Sequence, residues 1–468
     1  MTTRFLLLAL SAILWTSCSK NIYPDRSAFF RDTDVSPSVN LEHYKSVQLR
    51  PNQDSTIAVA MCVTGGGHRA ANFAVGVMMG LENIGLDGQQ DVLDEVDYIS
   101  TVSGGGFAGG SYLRARIDHD QNHRGKPFRF ADYVDTLIRK DLSHSFMATL
   151  VGANFNPRFW FSPYNDGDAL ERKIDDLVLG YEHRKKYKKQ EKSILLGDIF
   201  IPDNDERTVR YPWLITNTSE YFTMRILPFT PDVLAHYRVN GYSHRLRTVQ
   251  SDSLDTFRVP LAVGIKASGS FPVLISNTIL YSNYHPERDA LHLVDGAMSD
   301  NMGYITALEV LQQEQAPQKA LFVVDANSVG NLQLFSQKQR AIPSFSVLGR
   351  LSYSGIDAMR FEVYRQLTRI EERHKITPVV LGFATLIKNN DAPMPKSFKL
   401  KKTQEEMIEK LRAGFDQITD TDKWVIYELI TRIATKYTIQ ENEQELLFLA
   451  GQLVVYLERE AILSVFNN

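Results

Sequence analysis

Residues 56–70 read TIAVAMCVTGGGHRA and residues 96–107 read VDYISTVSGGGF. In each stretch a short apolar run rich in β-branched residues, Thr56–Val63 or Val96–Thr101, stops at a cluster of glycines. A helical pattern follows, from about His68 to Glu82 in the first case and from Phe107 to Ile117 in the second. Two successive strand–turn–helix units predict a parallel α/β sheet, in which the loops at the carboxyl ends of the strands carry the chemistry. Further strand signals at Trp213–Asn217, Phe222–Pro228, Val273–Tyr281, Leu291–Val294 and Ala320–Asp325 supply the rest of the sheet. Between them, residues 118–210 are charged and helix-leaning and read as an insertion or cap. Residues 336–468 read as mainly helical, with one strand candidate at Val379–Phe383.

The amino-terminus has a different character. Arg4 precedes an apolar run from Phe5 to Trp15, too short to span a bilayer but suited to the core of a signal peptide, so residues 1–17 are expected to be removed. Thr16 and Ser17 lead into Cys18, an arrangement that resembles the lipobox of exported bacterial lipoproteins and makes Cys18 the candidate lipidation site. An ordinary secretory signal with an incidental cysteine is the competing reading. Residues 18–54 are polar, with scattered Pro, Asp and Ser, and read as a tether to a membrane surface or an arm over the core.

Of 468 residues, 52 are Lys or Arg and 55 are Asp or Glu, so no global basic field exists to gather nucleic acid. Two cysteines, Cys18 and Cys62, cannot make a disulfide framework or a four-ligand zinc site, and no dense His/Cys/Asp/Glu cluster replaces them. The expectation is neither metal nor cofactor.

Three places could carry chemistry. Ser103 follows an apolar strand and precedes Gly104-Gly105-Gly106, the position of a nucleophile elbow; Gly105 removes a side chain that would strike the strand, while Thr101 stands where such elbows carry a second glycine. Gly65, Gly66 and Gly67 offer unobstructed N–H groups for a developing oxyanion, beside a helix N-terminus. A phosphate-binding loop is the rival reading, yet the Gly-Lys-Ser/Thr ending of a P-loop is missing. Arg69 either holds a substrate phosphate or forms an ion pair. Asp295 ends a strand before Gly296-Ala297 and could orient or deprotonate a serine. Only His374 lies beyond it among the histidines, in a charged helical stretch, so a Ser–Asp dyad fits better than a triad.

Together, Gly65-Gly66-Gly67-His68-Arg69-Ala70, Ser103-Gly104-Gly105 and Asp295-Gly296-Ala297 resemble the patatin-like phospholipases and the catalytic domain of cytosolic phospholipase A2. Ala267-Ser268-Gly269-Ser270-Phe271-Pro272 and Asn301 add to the likeness. The resemblance implies a patatin-like three-layer α/β sandwich over residues 55–335, with a mostly parallel central sheet. By the same analogy Ser103 is the nucleophile, Asp295 the base, and Gly66 and Gly67 the oxyanion donors of an enzyme cleaving acyl esters of phospholipids. Acyl transfer by the same dyad, or a catalytically silent lipid- or partner-binding module, are the alternatives. Phe155, Phe159, Trp160 and Phe161 could dip into lipid or form core, and the basic run Arg184–Lys189 could meet anionic headgroups or simply be solvated.

Overall fold

The central strands are continuous apolar runs because they are covered on both faces, the usual condition of a parallel sheet in an α/β protein. In the computed structural model β1 (Ile57–Val63) and β2 (Tyr98–Val102) are buried at every position. The structure describes residues 38–44, 55–86, 90–123, 125–154, 166–180, 193–202, 211–242, 254–272, 274–285, 288–327, 344–388 and 402–467, with 390, 392 and 400 singly. The expected signal segment 1–17, Cys18, most of the expected tether, the aromatic patch 155–161 and the basic run 184–189 lie outside the described residues.

The remaining strands are β3 (Trp213–Glu220), β4 (Ile226–Pro228), β5 (Val239–Tyr242), β6 (Thr278–His285), β7 (Arg288–Asp295), β8 (Gln318–Asp325) and β9 (Thr377–Gly382). They form one sheet in the order β5-β6-β7-β3-β2-β1-β8-β9, with β4 paired to β3. The block from β3 to β9 is parallel, as the two opening units predict. Pairings on the far side of β3 are antiparallel, a flank that the sequence pattern does not announce.

Local hydrogen bonding explains where strand signals and strands differ. The second strand starts at Tyr98 because the Asp97 carboxylate takes the Val59 N–H at 2.8 Å. The Phe222–Pro228 signal shrinks to β4 because the Glu220 carboxylate accepts the N–H groups of Phe222 and Thr223, folding the chain into a turn. The Val273–Tyr281 signal moves to β6 because the buried Lys266 ammonium takes the carbonyls of Ser276 and Asn277 away from the ladder.

The helices used below are α1 (Gly67–Glu82), α2 (Gly105–Asn122), α3 (Phe146–Asn154), α4 (Asp166–Leu177), α5 (Leu261–Ser268), α6 (Tyr304–Gln313), α7 (Ser344–His374), α8 (Asp420–Thr431) and α9 (Glu441–Leu457). Because α2 runs to Asn122, the insertion begins later than residue 118. Its described part is built into the core: Phe130, Ile138, Phe146 and Ile174 are fully buried.

The carboxyl-terminal region is likewise part of the body. Its strand β9 extends the sheet beyond β8, and α9 lies along α1. The approach is close enough that a Cβ on Gly76 would stand 2.3 Å from the Phe448 carbonyl oxygen, and one on Gly451 2.5 Å from that of Phe73. Ser38 to Asn468 accordingly form one compact unit, so residue 335 closes no domain.

Candidate active site

Ser103 follows the last residue of β2 with φ at +50°, a left-handed conformation that costs a non-glycine residue about 1–3 kcal/mol. The surroundings hold it there. Its N–H donates to the Ser268 hydroxyl at 2.9 Å, and its carbonyl accepts the Gly106 N–H at 2.9 Å as α2 begins. A Cβ on Gly105 would lie 2.7 Å from the Val63 carbonyl oxygen and 3.1 Å from that of Thr64, so only glycine passes β1 here. Thr101, the departure from the usual elbow, is accommodated by the helix: Gly109 has no Cβ where one would stand 3.3 Å from the Thr101 methyl.

Register brings the acid to the serine. β2 and β3 align Val102 with Asn217, and β3 and β7 align Thr218 with Asp295, so Asp295 ends one residue above the end of β2. The chain then crosses over β3, since a Cβ on Gly296 would meet the Asn217 carbonyl oxygen at 2.2 Å and a Val102 methyl at 3.2 Å. This crossing gives the Asp-Gly pair its purpose. Asp295 is almost completely buried, and burial pushes its carboxyl up to about 7, against the lowering effect of the Ala297 N–H and a side-chain hydrogen bond with Ser103. A carboxyl poised near neutrality can accept a proton and return it.

One short segment grips both residues. While the Ser268 hydroxyl accepts the Ser103 N–H, it donates to the Asn217 carbonyl at 2.6 Å, and the Ser270 carbonyl accepts the Asp295 N–H at 3.0 Å.

The glycine loop divides its labour. Gly65 is not an oxyanion donor: its N–H is consumed by the Asn301 carbonyl at 3.0 Å, and a Cβ there would stand 2.4 Å from the Asn301 side-chain oxygen. Gly66 and Gly67, with φ of +146° and +58°, enter α1 with N–H groups that meet no acceptor among the described residues. Asn301 is positioned in turn by Asp300, whose buried carboxylate accepts the N–H groups of Met302 and Ile305 at the start of α6. Arg69 does not reach the pocket. Its guanidinium donates to the Ile433 carbonyl at 3.1 Å and to the Asn327 side chain at 3.5 Å and lies over the Phe383 ring, so it ties α1 to the carboxyl-terminal region.

Gly65, Gly66, Gly67, Ser103 and Asp295 line one cavity of about 400 Å³. Met147, Phe271, Leu274, Ala297 and Ile356 add apolar lining; with Val102, the residues Ala297, Ile356 and Phe271 form a small apolar cluster separate from the main core. Asn327, Asp357, Arg360 and the segment Thr435–Thr438 add polar groups. Among the described residues no histidine lines the cavity, and His374 is exposed, against Gln312. Among the described residues no group of three or more His, Cys, Asp or Glu side chains could hold a metal ion.

Arg360 and Tyr437 are residues the sequence reading missed. Arg360, on α7, pairs with Asp325 at 2.6 Å, and Tyr364 donates to the same carboxylate at 2.7 Å. Asp325 ends its own strand as Asp295 does, but this clamp commits it to a structural ion pair.

A family model described as patatin-like phospholipase matches residues 61–308. No curated protein matches the chain significantly. Three solved structures of human GIVD cytosolic phospholipase A2 are similar to it, each with a TM-score of 0.42 and with 13%, 15% and 14% identity. The second is a complex with methyl gamma-linolenyl fluorophosphonate and terbium chloride, and the third a complex with methyl gamma-linolenyl fluorophosphonate. They align with 90% of this chain, which spans only 60–62% of theirs. Because the family model covers more than half of the chain and takes in the glycine loop, the elbow and Asp295, the protein belongs to the patatin-like phospholipase family.

Proposed function

We propose that the protein hydrolyses acyl esters of phospholipids through a Ser103–Asp295 dyad. The observation that carries this reading is the meeting of a strained serine, a buried carboxyl poised near neutrality and two glycine N–H groups in one partly apolar cavity. Asp295 takes the hydroxyl proton as Ser103 Oγ attacks the acyl carbonyl carbon, and the oxygen that gains charge faces the N–H groups of Gly66 and Gly67. The ester C–O bond breaks, the departing alcohol takes the proton from Asp295, and the acyl group stays on Ser103. Water then repeats the sequence, giving its proton to Asp295, releasing the fatty acid and restoring the hydroxyl.

The cluster of Val102, Phe271, Ala297 and Ile356 suits an acyl chain. A fluorophosphonate probe should modify Ser103, and Ser103→Ala should abolish both labelling and ester turnover. Absence of labelling in the folded wild type would favour the silent lipid-binding reading. Transfer of the acyl group to an alcohol uses the same residues and is distinguished by its products. We also propose that Cys18 carries a lipid anchor on an exported protein, a reading supported by the sequence of residues 4–18 alone.

A further inference from the structure

The family model ends at residue 308, yet the pocket is completed by residues far beyond it. Thr435 to Thr438, in the connection between α8 and α9, line the cavity and are bonded to both halves of the site. Toward the glycine loop, the Lys436 carbonyl accepts the His68 N–H at 2.9 Å, and its backbone fills the space that a Cβ on Gly67 would need. Toward the dyad, the buried Tyr437 hydroxyl donates to the Gly269 carbonyl at 2.9 Å. Gly269 is the middle residue of the segment in which Ser268 holds the Ser103 N–H and Ser270 holds the Asp295 N–H. The Tyr437 side chain thus ties the connection before α9 to the bridge that carries the N–H contacts of Ser103 and Asp295.

From these contacts we infer that Tyr437 is a positioning residue for the Ser103–Asp295 pair, acting through Gly269. The inference rests on the hydrolase reading above. Removing the hydroxyl leaves the Gly269 carbonyl with the Phe271 N–H alone, at 2.9 Å within the same turn, and takes away the one bond that ties it to the connection before α9. A displacement of about 1 Å between reacting groups costs about 10²-fold in rate, and a partial relaxation costs less.

The test is Tyr437→Phe, Ser268→Ala and the double variant, measured by the rate of Ser103 labelling with a fluorophosphonate, by kcat and KM on a short soluble ester per labelled site, and by thermal melting. Tyr437→Phe should lower kcat and the labelling rate about five- to tenfold with KM within about twofold. The double variant should fall short of the product of the single effects, because both act on one bridge. An unchanged labelling rate per folded molecule, whether or not melting falls, would reduce Tyr437 to packing, as would failure of the variant to fold or strictly multiplicative effects. If the wild type neither labels nor turns over ester, the hydrolase reading falls first and takes the inference with it.

Discussion

Gly105→Ala tests the elbow more sharply than loss of the serine itself, because it leaves every proposed functional group in place. The added Cβ would stand 2.7 Å from the Val63 carbonyl oxygen, 3.0 Å from a Val63 methyl and 3.1 Å from the Thr64 carbonyl oxygen. Two of these are backbone atoms of β1 and of the turn leading into the glycine loop, so they cannot swing aside as a flexible side chain can. Carbon and oxygen settle at about 3.3–3.6 Å, so the elbow must withdraw by about half an ångström or more. Overpacking of this kind costs about 1–3 kcal/mol, and melting should fall by several degrees. The withdrawal moves Ser103 away from Asp295 and from the proposed oxyanion donors Gly66 and Gly67. If a displacement of about 1 Å costs about 10²-fold, half of it costs about tenfold in kcat. Gly152→Ala, in a helical position with nothing within 4 Å of the new methyl among the described residues, is the control: kcat should be unchanged and melting should not fall, since alanine favours the helix by about 0.5–1 kcal/mol. Gly105→Ala with more than half of wild-type kcat and an unshifted melting temperature would refute this account of the elbow.

The Asp295 carboxyl is held up to about 7 by burial, so the proposed esterase activity should rise with pH through about 7, and an acid limb near 4 would show that Asp295 is not the base. A raised carboxyl pKa favours the folded state most below about 4 and loses that contribution as pH climbs through about 7; Asp295→Asn should therefore flatten the fall in melting temperature across that window while lowering turnover about 10²-fold or more. Gly451→Ala would put a methyl 2.5–2.7 Å from backbone atoms of Phe73, Val77 and Gly76, and should destabilise the fold by about 1–3 kcal/mol in chemical denaturation. For the proposed anchor, metabolic labelling with a fatty-acid analogue should mark the wild type, and Cys18→Ser should lose the label and leave the membrane fraction.

How much of this was legible in the sequence depended on whether the controlling interaction was local. The parallel block was readable because a strand, a tight turn and a helix leave their periods within about thirty residues, as at 56–82 and 96–117. The elbow was readable for the same reason: the need for glycine at 105 follows from a turn made by its own neighbours. Pairing of β7 beside β3 was not readable, because antiparallel register over more than seventy residues is decided by tertiary contact. Gly65 carries the same residue type as Gly66 and Gly67, and only the Asn301 carbonyl, 236 positions away, removes it from the donor set.

The Thr101 departure shows how such distant compensation works. An elbow glycine two residues before the nucleophile makes room for the helix that follows, but room is a property of the pair and not of one partner. Here the strand keeps a β-branched residue whose hydroxyl donates to the Ile215 carbonyl at 3.4 Å, and the helix supplies the vacancy at Gly109. A motif compared position by position registers a defect, while the packed surface has none. The same reasoning places Tyr437 in the site. Nothing in ATKYTIQ marks it as functional, yet the close packing of α9 on α1 through Gly76 and Gly451 fixes where the connection before α9 must pass. Once that path lies over the glycine loop, a carbonyl and a hydroxyl on it fall within reach of the first turn of α1 and of the bridge that holds Ser103 and Asp295.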